Sequence, residues 1–255
     1  MGSDINIAMN EKYHIHRFAV VDSTMDELKR LIVKLPETPE FTVILAKTQQ
    51  NGRGRRGKVW VSDEGNLYFS IYLRPNCLLS QATQINFVAS LALVDLLEEY
   101  HLKPKLKWPN DVLVQGQKVS GILMESDADS AAHVKWILLG VGLNVFHAPD
   151  NLPYPATYIA KITKKEHDLD VLLSKFLSYF TARYNQWLEN GFERLRADWL
   201  AHSAHELGSK ITIQSDKKIV GTFETLTESG ALQIRSLNEA KHIMTIHAGD
   251  VLLNV

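Results

Sequence analysis

Gln49-Gln50-Asn51-Gly52-Arg53-Gly54-Arg55-Arg56-Gly57-Lys58-Val59-Trp60 interleaves three glycines with four cations and closes on a tryptophan. Glycine lets the backbone reach positive φ and brings N–H groups close to a ligand, while Arg and Lys donate charge-assisted hydrogen bonds to phosphate or carboxylate oxygens. Alone, the segment reads equally as a nucleotide-anion loop or as a Gly/Arg-rich tail that binds RNA. Its flanks decide. Phe41 to Lys47 is an apolar, β-branched run ending just before it, and Asn66 to Leu73 has period two, Leu67, Phe69, Ile71 and Leu73 alternating with Tyr68, Ser70 and Tyr72. The loop is slung between two strands, so a sheet organises the fold.

Outward from these strands the signals stay regular. Asp22-Ser23-Thr24-Met25-Asp26-Glu27-Leu28 is a helix start, with Asp22 or Ser23 placed to accept from the first helical N–H groups, and predicts a helix to about Leu35. Ser80 to His101 has apolar residues at helical spacing and predicts one core-packing helix. Lys105 to Trp108, Val112 to Val114, Lys118 to Ser126 and Val134 to Asn144 read as short strands, with Gln115-Gly116-Gln117 a hairpin turn. Asp168 to His202 predicts two helices interrupted at Asn190-Gly191. After Leu207, short alternating runs around turns at Ser215-Asp216 and Ser229-Gly230 predict a small β-barrel of about fifty residues. The expected division is 1–206 and 207–255.

Composition narrows the function. With 28 Lys+Arg against 29 Asp+Glu the formal net charge is −1, which argues against a protein that coats nucleic acid and makes the loop's cations a local concentration. The single cysteine, Cys77, excludes an internal disulfide framework and a Cys-based zinc site, and fits a reducing cytoplasm. Met1 to Asn10 lacks the basic start and apolar core of a secretory signal. Apolar runs such as Phe87 to Leu97 are broken by Ser90 and Asp95 and fall short of the roughly 20 residues of a spanning helix, so no membrane segment is expected. The ten histidines show no metal-ligand spacing.

Three further segments carry chemistry. Lys107-Trp108-Pro109-Asn110-Asp111 puts a cation, an aromatic wall, a proline-fixed turn and a carboxylate within five residues, with Lys118 across the hairpin. Asp111 can hold a metal ion or orient a cation. Gly121 in Val119 to Glu125 and Gly140 and Gly142 in Gly140 to Val145 let something pack closely and can floor a pocket. Plainer roles stand beside these: Ser23-Thr24 as a helix cap alone, Trp108 as pocket wall or core, the glycines as close-packing positions and Asn144 as a strand-end cap.

In this order, Asp22-Ser23-Thr24, the Gly52 to Trp60 loop, Lys107 to Asp111, Lys118-Val119-Ser120-Gly121-Ile122-Leu123 and Gly140-Val141-Gly142-Leu143-Asn144 resemble the motifs of the biotin protein ligases, which attach biotin to carboxylase carrier proteins. The resemblance covers roughly Asp22 to Val145, and Gly221, Gly230 and His247-Ala248-Gly249-Asp250 resemble the family's terminal barrel more weakly. It implies an α+β fold: a central mixed β-sheet flanked by helices, class II synthetase-like, plus a small C-terminal β-barrel. It also implies a reaction in which biotin's carboxylate attacks the α-phosphate of ATP, and an acceptor lysine then attacks the biotinyl-5′-adenylate. Two anions must meet there, so cations that neutralise both are needed, with Mg²⁺ as a further clamp and Asp111 as its possible ligand.

By the same resemblance Ser23, Thr24, Met25, Gln49, Arg53, Gly54, Arg55, Lys118, Gly121 and Gly142 contact biotin, Met25 through its backbone because the family often has asparagine there. Arg53, Arg55, Arg56, Lys58, Trp60, Asn110 and Asn144 contact the nucleotide, and Lys118, Arg55 and Asp111 carry the catalysis. Tyr154 and Tyr158 are candidates to stack on adenine. The loop is expected to be disordered until ligand binds, then to order over the water-labile adenylate. The implied partner is a biotin carboxyl carrier protein of a carboxylase, and a homodimer is possible. Only 22 residues precede Ser23, too few for a winged helix-turn-helix, so the expectation is the short form with no DNA partner. A lipoate or octanoyl ligase or transferase on the same fold, and a biotin-responsive regulator, are the alternatives.

Overall fold

Residues 12–150, 152, 154–214, 218–237 and 242–252 are described by a computed structural model. Strand β1 (His14–Val21) leads into helix α1 (Thr24–Lys34), which returns the chain to β2 (Thr42–Gln49), parallel to β1. The Gly/Arg loop then joins β2 to the antiparallel β3 (Leu67–Leu73). Helices α2 (Leu79–Ala82) and α3 (Gln84–Glu99) precede β4 (Pro104–Lys107), β5 (Asp111–Val114), β6 (Gln117–Ala128) and β7 (Val134–Leu143). These strands form one mixed seven-stranded sheet in the order β1-β2-β3-β7-β6-β5-β4. The single helix expected over Ser80 to His101 is therefore two. Thr83 separates them, its hydroxyl donating to Ser229 O at 2.9 Å, and the second ends before His101, whose φ is 59°.

The β5–β6 hairpin turns on Gln115 and Gly116, with φ of 54° and 74°. Both residues are left-handed, which is the two-residue turn that matches strand twist. Helices α4 (Ile159–Thr163), α5 (Leu169–Asn190) and α6 (Glu193–Ala201) follow, the first without a sequence signal that revealed it. Asp168 caps α5 by accepting from Asp170 N and Val171 N at 2.8 and 3.1 Å, and Gly191, φ 71°, ends it where the interruption is expected. Along α5, Phe176, Phe180 and Tyr184 recur every four residues and stack at 5.9 and 5.8 Å.

All seven residues of β3 are buried, because both faces of the sheet are covered. Leu67, Phe69, Ile71 and Leu73 join the main core with α3 and α5, while Tyr72 packs with Met25 and Leu28 of α1 on the other face. The alternation of apolar and polar residues thus marks two environments rather than core and solvent.

Strands β8 (Lys210–Gln214), β9 (Lys218–Leu226), β10 (Leu232–Ser236), β11 (Ile243–Ile246) and β12 (Asp250–Leu252) make a second, antiparallel sheet in the order β11-β10-β9-β8-β12. Among the described residues its end strands share no ladder, so the expected barrel is open along that seam. The turn expected at Ser215-Asp216 lies outside the described residues. Trp108 Nε1 donates to Gly230 O at 3.1 Å and Gln84 Nε2 to Glu228 O at 2.9 Å, tying this sheet to the larger one. Among the described residues no helix is long and apolar enough to cross a membrane.

Candidate active site

The face of the sheet that carries α1 is open at one end, and the opening is a cavity of about 400 Å³. Its floor exists because two strands lack side chains there. Gly121 of β6 and Gly142 of β7 are register partners, and the Trp60 indole lies over both. A Cβ on Gly121 would lie 2.8 Å from Trp60 Cζ3, and one on Gly142 would collide with the five-membered side of the same ring. Gly140 does the same for Met25, whose Sδ would lie 2.8 Å from a Cβ there. Trp60 Nε1 is buried without a hydrogen-bond partner.

At the N-terminus of α1 the polar wall is cross-linked. Gln49 Oε1 accepts from Thr24 N at 2.8 Å and from Thr24 Oγ1 at 3.1 Å, and its Nε2 donates to Ser62 Oγ at 2.9 Å. Ser23 occupies the N-cap position, but its side chain caps nothing and lines the cavity instead.

The hairpin carries the densest charge. Asp111 Oδ1 lies 2.6 Å from Lys118 Nζ and Oδ2 lies 2.9 Å from Lys107 Nζ, all three side chains 13% exposed. Burial opposes ionisation of Asp111, but the two ammonium groups outweigh it and hold the carboxyl below the usual range. Lys118 Nζ is also 5.2 Å from the Trp60 ring centroid and 5.3 Å from that of Tyr154, a cation between two aromatic faces.

Carboxylates from three elements hold the cations of the loop. A bridge pairs Arg53 with Val59, and Arg55–Gly57 form one tight turn. Arg53 spans Asp26 of α1 and Glu125 of β6, 2.8 Å from each. Lys58 Nζ is 2.6 Å from Asp250 Oδ2, and Arg55 Nη1 is 3.5 Å from Asp250 Oδ1 and 3.3 Å from Asn110 Oδ1. Burial lowers the Arg55 guanidinium, which the Asp250 and Asp111 carboxylates counteract.

The sequence profile of the biotin/lipoate A/B protein ligase family matches residues 17–144, half of the chain, and that of the biotin protein ligase C-terminal domain matches residues 207–253. The chain belongs to the biotin/lipoate protein ligase family. It is 35% identical over 228 residues to the biotin–[acetyl-CoA-carboxylase] ligase of Paracoccus denitrificans, covering 85% of this chain and 92% of that one. To the bifunctional ligase/repressor BirA of Bacillus subtilis it is 33% identical over 171 residues, 65% of this chain; the match spans about half (52%) of that longer protein. The biotin protein ligase of Aquifex aeolicus, solved with biotin and ATP, superposes with a TM-score of 0.77 at 30% identity, over 94% of this chain and 97% of that one.

Of the residues expected at the site, the cavity gathers Ser23, Thr24, Met25, Gln49, Arg53, Gly54, Arg55, Lys58, Trp60, Asn110, Asp111, Lys118, Gly121 and Gly142. Two expected residues lie elsewhere. Asn144 is buried and spends its amide on Thr157 O at 3.1 Å, holding the segment that enters α4. Arg56, at φ 55°, is exposed and reaches Gln214 O at 3.4 Å, because the left-handed turn points it outward. Tyr154 lines the cavity beside Lys118, whereas Tyr158 is the N-cap of α4. Trp108 is core, 3% exposed.

The residues do not fit a ligase-held Mg²⁺. Both Asp111 oxygens face ammonium groups, which repel a further cation, and among the described residues no three His, Cys, Asp or Glu side chains converge. Of the two roles expected of Asp111, holding a metal ion or orienting a cation, its contacts with Lys107 and Lys118 are of the second kind. Sequence reasoning missed Asp26, Glu125 and Asp250 as the loop's anchors. Asp250 sits in the His247 to Asp250 segment that resembles the family's terminal domain, the one available signal.

Proposed function

We propose that this chain is an ATP-dependent ligase that activates biotin as biotinyl-5′-AMP and transfers it to a lysine of a biotin carboxyl carrier protein or domain. The observation that carries the reading is the position of Lys118. Its ammonium, fixed on Asp111, stands between the glycine-floored, Trp60-covered half of the cavity and the half walled by Arg55 and Lys58. A carboxylate and a triphosphate have to meet at such a boundary. The family membership and the names of the relatives support the substrate pair.

In this reading Ser23, Thr24 and Gln49 meet the ureido ring, which needs donors and acceptors once buried, and Gly121 and Gly142 admit the bicyclic ring against the indole. Arg55 and Lys58 neutralise the phosphates. As a biotin carboxylate oxygen bonds to the α-phosphorus and the bond to pyrophosphate breaks, Lys118 stabilises the charge shared between them. When the acceptor amine attacks the mixed anhydride and AMP leaves, the same ammonium polarises the carbonyl. Lys107 and Asp111 position Lys118, and Arg53 holds the loop over the intermediate. Residues 1–206 form the catalytic domain and 207–255 its companion.

The deciding experiment is isotope exchange between pyrophosphate and ATP with biotin or lipoate as the acid. Biotin-dependent exchange that lipoate does not support is expected. Exchange supported by lipoate instead would replace the reading with the lipoate one. In the second step, Arg55→Gly is expected to release adenylate, read as biotin on lysines of an unrelated protein; unchanged retention would remove Arg55 from that role.

A further inference from the structure

Among the described residues, the oxygens of the C-terminal sheet that face Arg55, Lys58 and Lys107 come from three consecutive residues. Gly249 O accepts from Arg55 Nη1 at 3.4 Å, Asp250 Oδ1 lies 3.5 Å from the same nitrogen, Asp250 Oδ2 is 2.6 Å from Lys58 Nζ, and Val251 O accepts from Lys107 Nζ at 3.3 Å. Three cations from two distant motifs thus converge on one strand tip inside the cavity. A carboxylate and two carbonyls in this arrangement present oxygens to Arg and Lys much as a phosphate chain does, bearing one negative charge where a triphosphate bears several.

We propose that Asp250 is a positioning residue that acts as an internal stand-in for the triphosphate: it holds Lys58 and Arg55 over the cavity until the phosphate chain of the nucleotide displaces it. The inference rests on the ligase reading for the identity of the anion. Asp250 keeps the two cations gathered rather than splayed in solvent, so the incoming polyanion meets an ordered pair. The cost is competition, because each phosphate contact first breaks a carboxylate contact. Lys58 is 59% exposed in its side chain, so the contact is weak enough to be exchanged. Lys58 and Arg55 then pass from the C-terminal strand to the ligand, which couples the small domain to nucleotide binding.

Inorganic tripolyphosphate is the probe, read by calorimetry on the full chain. Asp250→Asn is expected to bind it about threefold to fivefold more tightly, the range of a partly exposed ion pair. In the Lys58→Gln background the same substitution should gain much less, whereas a general field effect would persist there. Without anion, trypsin should cut Asp250→Asn faster after Arg55, Arg56 or Lys58 than it cuts the wild type or Asp250→Glu, and tripolyphosphate should restore protection. Unchanged or weaker binding by Asp250→Asn, or unchanged cleavage, would overturn the proposal. Should Asp250→Asn fail to fold, wild-type hydrogen exchange decides: tripolyphosphate should speed exchange at residues 249–251, and slowed or unchanged exchange there would overturn it. None of these readouts requires adenylation, so a failed pyrophosphate exchange would remove the ligase reading while leaving this result standing.

Discussion

At Asp111 one carboxylate serves two ammonium groups, and its removal leaves Lys107 and Lys118 facing each other in a site where each is 13% exposed. Breaking a buried ion pair by deleting one partner costs about 3 kcal/mol. Asp111→Asn should lose about that much stability in urea unfolding. Lys118→Gln is expected to lower the rate of adenylate formation about 100-fold or more, the effect of deleting one charge-stabilising donor. Gly142 makes a different demand, for space. Gly142→Ala pushes a methyl into the Trp60 indole, and overpacking of this kind costs about 1–3 kcal/mol. Thermal melts should show that penalty shrinking in a Trp60→Ala background, since the two side chains share the same volume. The identities of these residues were legible in the sequence. Their partners were not, because Trp60 meets Gly142 only through the packing of a loop on a sheet.

Elements were legible where period and caps agreed. Helix α5 starts at Asp168, whose carboxylate takes two orphan N–H groups, and stops at Gly191 in the left-handed region. Asp168→Ala should cost about 1 kcal/mol of stability, measured by urea unfolding, with pyrophosphate exchange at 25 °C unchanged. The hairpin at Gln115-Gly116 was legible for the same reason, a local turn chemistry. The start of α3 was misjudged: Thr83, whose hydroxyl donates to Ser229 O in the C-terminal sheet, separates it from α2. Likewise β3 carries an amphipathic pattern yet is buried throughout, since α1 covers the face that bears Ser70 and Tyr72.

Over the whole molecule, the seam between the two sheets holds a group that titrates. The segment 202–205 runs beside Leu106, and His205 Nε2 is buried without a partner. Burial first, and the Lys107 charge second, lower the His205 pKa to about 4 from an ordinary 6.5. The unfolded chain therefore binds this proton before the folded one does. Stability is present in full above about pH 6.5 and is lost as pH falls toward 4, because there the unfolded state carries the extra proton. The melting temperature should fall between pH 7 and pH 5, and His205→Gln should flatten that slope; an unchanged slope would place the titration elsewhere.

The amino-acid sequence determined what depends on neighbours along the chain. It set the strands on either side of the Gly/Arg loop, the hairpin turn within Gln115-Gly116-Gln117 and the kinds of side chain that can hold an anion, and these were enough to identify the family resemblance. Tertiary structure alone decided which charge meets which: Arg53 with Asp26 and Glu125, Lys107 and Lys118 with Asp111, Arg55 and Lys58 with Asp250. It also took Arg56 and Asn144 out of the cavity and put an indole over two glycines. Coulomb attraction and steric exclusion depend on distance through space, and Lys58 and Asp250, 192 residues apart in the chain, become neighbours only when both sheets are in place.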